Sequence, residues 1–342
     1  MEELIRQWVN GLPLPFLFII VAVSLYYLAK GADILVCEAV SLSLNWGVSK
    51  MVIGVTIVSI GTTLPEVAVS VFAAAKGNPG LAMGNSVGSI ICNSGLILGL
   101  AALVAPLPIT RSVVNRQGWI QVGAGVLLVL ACLPFSNLGS VFVEGGRLPR
   151  GIGMFFLVLL AAYLFLSVQW TRQASARSKA GNEDAFQADS KTVHRILLKM
   201  SLGIALVLIT AQILIPSIEE SAGRLGVPDA IIGATLVALG TSLPELMTAL
   251  TAARKGHGDL AIGNVIGADI LNVLLVSGAA AALTPGGLAT TGIFFVLYFP
   301  AILFIFFVLR IGFFFSRESL GRAVGAVLVG AYLIVTVLSY IL

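Results

Sequence analysis

Two short phrases carry the residues able to do chemistry: GTTLPE at Gly61–Glu66 and GTSLPE at Gly240–Glu245. Each lies inside a long apolar run and sets a carboxylate, a proline and two hydroxyls where lipid tolerates none of them singly. A carboxylate at the bilayer centre costs about 2.5–3.5 kcal/mol on insertion scales, so intramembrane acids are functional candidates by default. Proline has no N–H, so Pro65 and Pro244 leave the carbonyls of Gly61 and Gly240 without helical partners. In hydrocarbon such a carbonyl must line a cavity or find a new partner. With the hydroxyls of Thr62 and Thr63, or Thr241 and Ser242, and with Glu66 and Glu245, these carbonyls make an all-oxygen donor set for a hard cation such as Na+ or Ca2+. Ca2+ takes about six to eight such oxygens.

Each phrase is followed by a second polar stretch: GNSVGSIICNSG at Gly84–Gly95 and GNVIGADILNVL at Gly263–Leu274. Their glycines permit close helix approach. Ser89 and Asn93 are one helical turn apart and share a face, as Ala268 and Asn272 do. Two carboxylates with two neutral amides balance the charge of a single divalent ion.

The elements that position these residues are membrane helices. The chain is 58% apolar and 11% charged, with a mean hydropathy of +1.02. Runs of eighteen or more apolar residues recur along it, each able to cross roughly 30 Å of hydrocarbon as a helix. Alternation at period two is absent, which excludes a β-barrel. Ten spans are expected, centred near Ala22, Ser59, Ile91, Leu127, Leu159, Leu208, Leu239, Leu271, Tyr298 and Val329. The first and sixth are longer than one crossing needs, hence tilted or kinked. Glu66 lies 16 residues after Lys50 and 10 before Lys76, roughly 24 and 15 Å along a helix, well inside the bilayer.

The organisation expected is an N-terminal tail at 1–12, a five-helix unit at 13–172, a polar linker at 173–193 and a second five-helix unit at 194–342. Residues Gly54–Gly99 and Gly233–Gly278 align at a constant offset of 179, with 21 identities in 46 positions and no gap. The identities include the glycine, proline and glutamate of the two phrases, Asn85 with Asn264, and Asn93 with Asn272, so this is an internal duplication. Five spans before the linker make the second copy enter the membrane from the opposite face, the inverted-repeat plan of secondary transporters. Fourteen Lys and Arg fall on one alternate set of loops and five on the other. This places both termini outside and the linker in the cytoplasm of a multi-pass cell-membrane protein.

The net charge of +4 reflects that loop bias; no basic stretch interleaved with aromatics points to nucleic acid. Cys37, Cys92 and Cys132 have no CxxC spacing, so neither a disulfide framework nor a zinc site is indicated. The start, MEELIRQWVNGLP, reads as a retained tail and not a signal peptide. His194 and His257 read as solvated loop histidines.

With GTTLPE and GNSVGSIICN as a first α-repeat and GTSLPE and GNVIGADILN as a second, the chain resembles the sodium/calcium exchangers of the cation/calcium antiporter superfamily. The resemblance covers nearly the whole chain. It implies a ten-helix bundle with ligands on the second, third, seventh and eighth helices, and a gating pair in the first and sixth. It also implies that Glu66 and Glu245 hold Ca2+, that Thr62, Thr63, Thr241, Ser242 and Ser89 serve Na+ sites, and that Asn93 is the central amide. Two positions depart from the pattern: Asn272 stands where close members carry an acid, and Ala268 where they carry a serine. Asp269 either restores the acid or faces another helix.

The function implied is Na+/Ca2+ antiport, with no cofactor and no obligate protein partner. H+/Ca2+ exchange on the same scaffold is the alternative. A passive channel would share the cation site without a counter-ion. An intramembrane enzyme finds no support, since HExxH does not occur and no acid pair stands beside an activated nucleophile.

Overall fold

The computed structural model describes residues 2–135, 138–180, 190–225, 238–316 and 318–341. Hydrocarbon offers the backbone no hydrogen-bonding partner, so apolar segments satisfy themselves as helices. In order these are α1 (Glu2–Asn10), α2 (Leu14–Trp46), α3 (Lys50–Thr62), α4 (Leu64–Ala75), α5 (Pro79–Val104), α6 (Arg111–Cys132) and α7 (Arg150–Ala180). Then follow α8 (Ser190–Arg224), α9 (Ala238–Thr241), α10 (Leu243–Arg254), α11 (Gly258–Leu283), α12 (Phe294–Phe315) and α13 (Arg322–Ile341).

Eight helices are long and apolar enough to cross a bilayer, and α3 with α4, bent by 43° about Thr63, makes nine among the described residues. Of the expected seventh span, residues 226–237 lie outside the described residues; from Ala238 it has the same two-piece form, α9 then α10. The two proline phrases therefore break helices as their chemistry requires.

Burial sorts the helices into layers. The spanning windows of α5 and α11 are 72% and 83% buried, whereas those of α2, α7 and α13 are 22%, 28% and 17% buried. The two central helices carry the polar motifs, and the peripheral ones turn leucine, valine and phenylalanine outward. The long helices α2 and α8, of 33 and 35 residues, pair with each other. They cross so closely that a Cβ on Gly203 would lie 3.2 Å from the carbonyl oxygen of Gly31. Pro216 sits inside α8 without ending it. Widened π-helical turns occur at Gly54–Val58, Cys92–Ile97 and Asn272–Ser277. The last two contain the central asparagines, and such turns recur where helices serve a site.

Three features differ from the sequence reading. The N-terminal tail is mostly the helix α1, held to α8 by Arg6 with Glu219 at 2.6 Å and by Arg224, which donates to the carbonyls of Asn10 and Leu12. The polar stretch between the halves is helical to Ala180 and again from Ser190, because its Ala, Arg, Lys and Gln are good helix formers; 181–189 lie outside the described residues. Four strands of two or three residues clip loops together: Leu107–Pro108 with Ser319–Leu320, and Gly146–Leu148 with Leu288–Thr290. None is long enough to cross a bilayer.

Candidate cation site

The sequence hydroxyl-Leu-Pro-Glu is a helix start. Thr63 and Ser242 occupy the N-cap positions of α4 and α10, proline falls in the first turn, and Glu66 and Glu245 sit in that turn at the positive end of the helix dipole. In a capping box the hydroxyl bonds back to its own helix. Neither does so here. Thr63 Oγ1 donates to Glu245 Oε1 at 3.4 Å, and Ser242 Oγ donates to Glu66 Oε1 at 3.2 Å. Thr62 Oγ1 donates to Asn264 Oδ1 at 3.3 Å, and Thr241 Oγ1 to Asn85 Oδ1 at 3.2 Å. At the offset of 179 each bond of the first phrase has its counterpart in the second, so every hydroxyl serves the other phrase's helices.

Glu66 and Glu245 are both 0% exposed and lie within Coulombic reach of each other. The Oε1 of each accepts a crossed hydroxyl, and the Oε2 of each has no protein partner. Ser89 Oγ lies 3.4 Å from Ser242 Oγ, which joins it to the same cluster. Asn93 and Asn272 are fully buried, with no partner for either amide atom. Thr62 and Thr241 are bound through their hydroxyls to the asparagines. Ala268, at the register of Ser89, is buried and offers no side-chain oxygen.

Asp269 stands apart from the crossed pair. Its Oδ2 accepts from Ser94 Oγ and, at 2.7 Å, from Gln121 Nε2 on α6, so it faces a neighbouring helix as well as the centre. Sequence reasoning missed several supporting groups. Asn85 Nδ2 donates to the Glu66 carbonyl at 3.2 Å and to Ser70 Oγ at 2.9 Å, and Ser86 Oγ donates to the Asn272 carbonyl at 2.7 Å. The identity of Asn85 with Asn264 was the available signal for one pair; nothing in the spacing of Ser94 and Gln121 marks the other.

The ordinary explanation of buried acids is a basic neighbour. Among the described residues the ion pairs are Arg6 with Glu219, Lys199 with Glu38, Arg224 with Glu220 and Lys255 with Asp33, and none includes Glu66, Glu245 or Asp269. Lys30, the one cation at comparable depth in the sequence, lies over the Tyr26 ring. An unpaired charge in a low-dielectric interior is strongly destabilising, and so is a buried oxygen without a partner. Among the described residues no three His, Cys, Asp or Glu gather as transition metals require. Carboxylate, hydroxyl and amide oxygens suit hard cations instead.

The chain is similar to several known membrane proteins. The Escherichia coli inner membrane protein YrbG is 35% identical over 91% of this chain and 93% of its own length. The sodium/calcium exchanger MaX1 of Methanosarcina acetivorans is 32% identical over 81% of this chain and 86% of its own. The solved structure of the sodium-calcium exchanger NCX_Mj superposes with a TM-score of 0.78 at 27% identity, over 94% of this chain and 98% of that one. The family described as sodium/calcium exchanger protein matches residues 16–169 and 196–341. These segments take in both proline phrases and all the crossed bonds between them, and the chain belongs to the sodium/calcium exchanger family.

Proposed function

We propose that the protein is a secondary antiporter that exchanges Na+ for Ca2+ by alternating access around the Glu66/Glu245 pair. The observation that carries this reading is the pair itself: two buried carboxylates, each keeping one oxygen without a protein partner and neither neutralised by a base. Glu66 and Glu245 supply two negative charges to one Ca2+, with Thr63, Ser242, Ser89, Asn93 and Asn272 as neutral oxygen donors. Thr62 and Thr241 hold Asn264 and Asn85 in place and offer their carbonyls. Filled with cations the site is neutral and can move between faces; empty, it holds two buried charges and cannot.

On the same reading the chain has ten spans in two inverted five-helix repeats, 13–172 and 194–342. The termini are outside, 173–193 is cytoplasmic, and no protein partner is needed to complete the site. The pairing of α2 with α8, largely outside the buried centre, supports their moving as one body past it.

In proteoliposomes an outward Na+ gradient is expected to drive 45Ca2+ uptake, and Glu66→Gln or Glu245→Gln to abolish it. Unchanged uptake in either variant overturns the assignment. The loss of an acid at Asn272 and of a hydroxyl at Ala268 gives H+/Ca2+ exchange its standing as second reading. Uptake sustained by a pH gradient in Na+-free buffer would install the proton as driver.

A further inference from the structure

Asp269 is a third buried carboxylate, 1% exposed, and the duplication does not account for it. At the offset of 179 its counterpart is Ile90, and the counterpart of its partner Ser94 is Val273, so this cluster exists once while the crossed bonds exist twice. Ser94 and Gln121 both donate to Oδ2, and Gln121 also donates to Ser94 Oγ at 3.1 Å. All three side chains are at least 97% buried. Two donors on one oxygen fix the orientation of the carboxyl. The other oxygen, Oδ1, is buried without a partner. Asn93, whose amide atoms are also unpartnered, lies beside Asp269. No Lys or Arg among the described residues pairs with it. A Ca2+ held by Glu66 and Glu245 would balance those two acids and not Asp269.

We propose that Asp269, through Oδ1 and together with the side-chain oxygen of Asn93, holds one Na+ in addition to the cations of the Glu66/Glu245 pair. A single carboxylate with neutral donors balances one positive charge, so the ion is monovalent; a divalent ion here would leave a net charge buried. The acid missing at Asn272 is thereby replaced from the neighbouring face of the same helix. This deepens the exchange reading and rests on it: the Na+-loaded form carries one more ion than two acids alone could neutralise, while Ca2+ capacity stays with the glutamates.

The test counts ions on the purified full-length protein in detergent, with 22Na+ and 45Ca2+ measured separately. Asp269→Asn is expected to bind one fewer 22Na+ per chain than the parent, and its 45Ca2+ affinity in Na+-free buffer to stay within about threefold. Asp269→Asn combined with Asn272→Asp is expected to restore the 22Na+ count. Asp269→Ser, neutral and smaller, serves if Asp269→Asn elutes aggregated. An unchanged 22Na+ count in the neutral variant, or loss of 45Ca2+ binding in correctly eluting protein, overturns the proposal. Failure of the parent to bind 45Ca2+ with the Na+ difference intact would instead strike the Na+/Ca2+ assignment.

Discussion

Thr63 Oγ1 stands 3.4 Å from Glu245 Oε1, so the residue placed to cap α4 serves the acid of α10 instead. The reciprocal bond from Ser242 to Glu66 makes the relation mutual. Each acid is therefore oriented by a helix start it does not belong to, and neither half of the chain can set its own carboxylate alone. The bonds are long enough, at 3.2 and 3.4 Å, to be the weaker contacts of the cluster.

Removing either hydroxyl is expected to have the same effect. Thr63→Ala and Ser242→Ala should each weaken Ca2+ binding by about 0.5–1.5 kcal/mol, the net worth of one hydrogen bond. Thr63→Ser should keep binding at the parent level. Equilibrium 45Ca2+ binding checks this, and a large loss in one alanine variant with none in the other would contradict the crossed arrangement.

The close contact of α3 with α11 sets the second expectation. A Cβ on Gly54 would lie 2.6 Å from the Leu260 carbonyl oxygen, and one on Gly263 would lie 2.3 Å from that of Met51. Backbone faces backbone on both sides, so no side chain can give way. Gly263→Ala is expected to cost about 1–3 kcal/mol, as overpacking does. Gly123→Ala, at an exposed position with nothing within 4 Å of the added Cβ, should cost little. Thermal unfolding in detergent separates the two; equal shifts would mean that the contact is not tight.

Much of this was legible in the sequence because hydrocarbon punishes exceptions. Glu66 and Glu245 are conspicuous in apolar runs, Pro65 and Pro244 dictate the breaks, and the offset of 179 ties the two phrases together. What was not legible is what depends on three-dimensional approach. Spacing within GTTLPE says that Thr63 could cap its own helix, and only the fold reveals that it reaches Glu245. Asp269 could have faced either way on its helix, and the choice was made by Gln121, 148 positions earlier in the chain. The helix α1 was hidden because nine residues are too few to announce themselves; its place comes from Arg6 and Glu219, a tertiary pair.

The ion pair of Lys255 with Asp33, at 3.0 Å, ties α2 to the turn between α10 and α11, and Lys255 also donates to Cys37 Sγ at 3.3 Å. If α2 moves in the transport cycle, this contact favours the present arrangement over its alternative. Both side chains are over a third exposed, so the pair contributes at most about 1 kcal/mol, roughly a fivefold change in a conformational equilibrium. Lys255→Ala is expected to change apparent Ca2+ affinity by no more than that at low salt, and the difference from the parent should vanish at high salt. A difference that persists at about 1 M salt would assign Lys255 some other role.

His257, at the start of α11, lies 2.9 Å from Lys50 Nζ through Nδ1, a link between the two sequence repeats where sequence reasoning expected a solvated side chain. Burial first, and the Lys50 ammonium second, push the His257 pKa below its ordinary value, with Lys255 adding to the effect and Asp259 opposing it. The imidazole is therefore neutral at pH 7, and its unprotonated Nδ1 accepts from Lys50. Because the folded-state pKa is depressed, the contribution is fully present above the unfolded value of about 6.5 and is lost as pH falls through the folded one. Acidification places two positive groups in contact. The parent is expected to lose thermal stability between about pH 7.5 and 5.5, part of it through this contact. His257→Gln keeps an acceptor at every pH and should lose less over the same interval. Glu66, Glu245 and Asp269 are unchanged in the variant, so the difference between the two slopes isolates the imidazole. Identical slopes would show that protonation of His257 does not affect the fold.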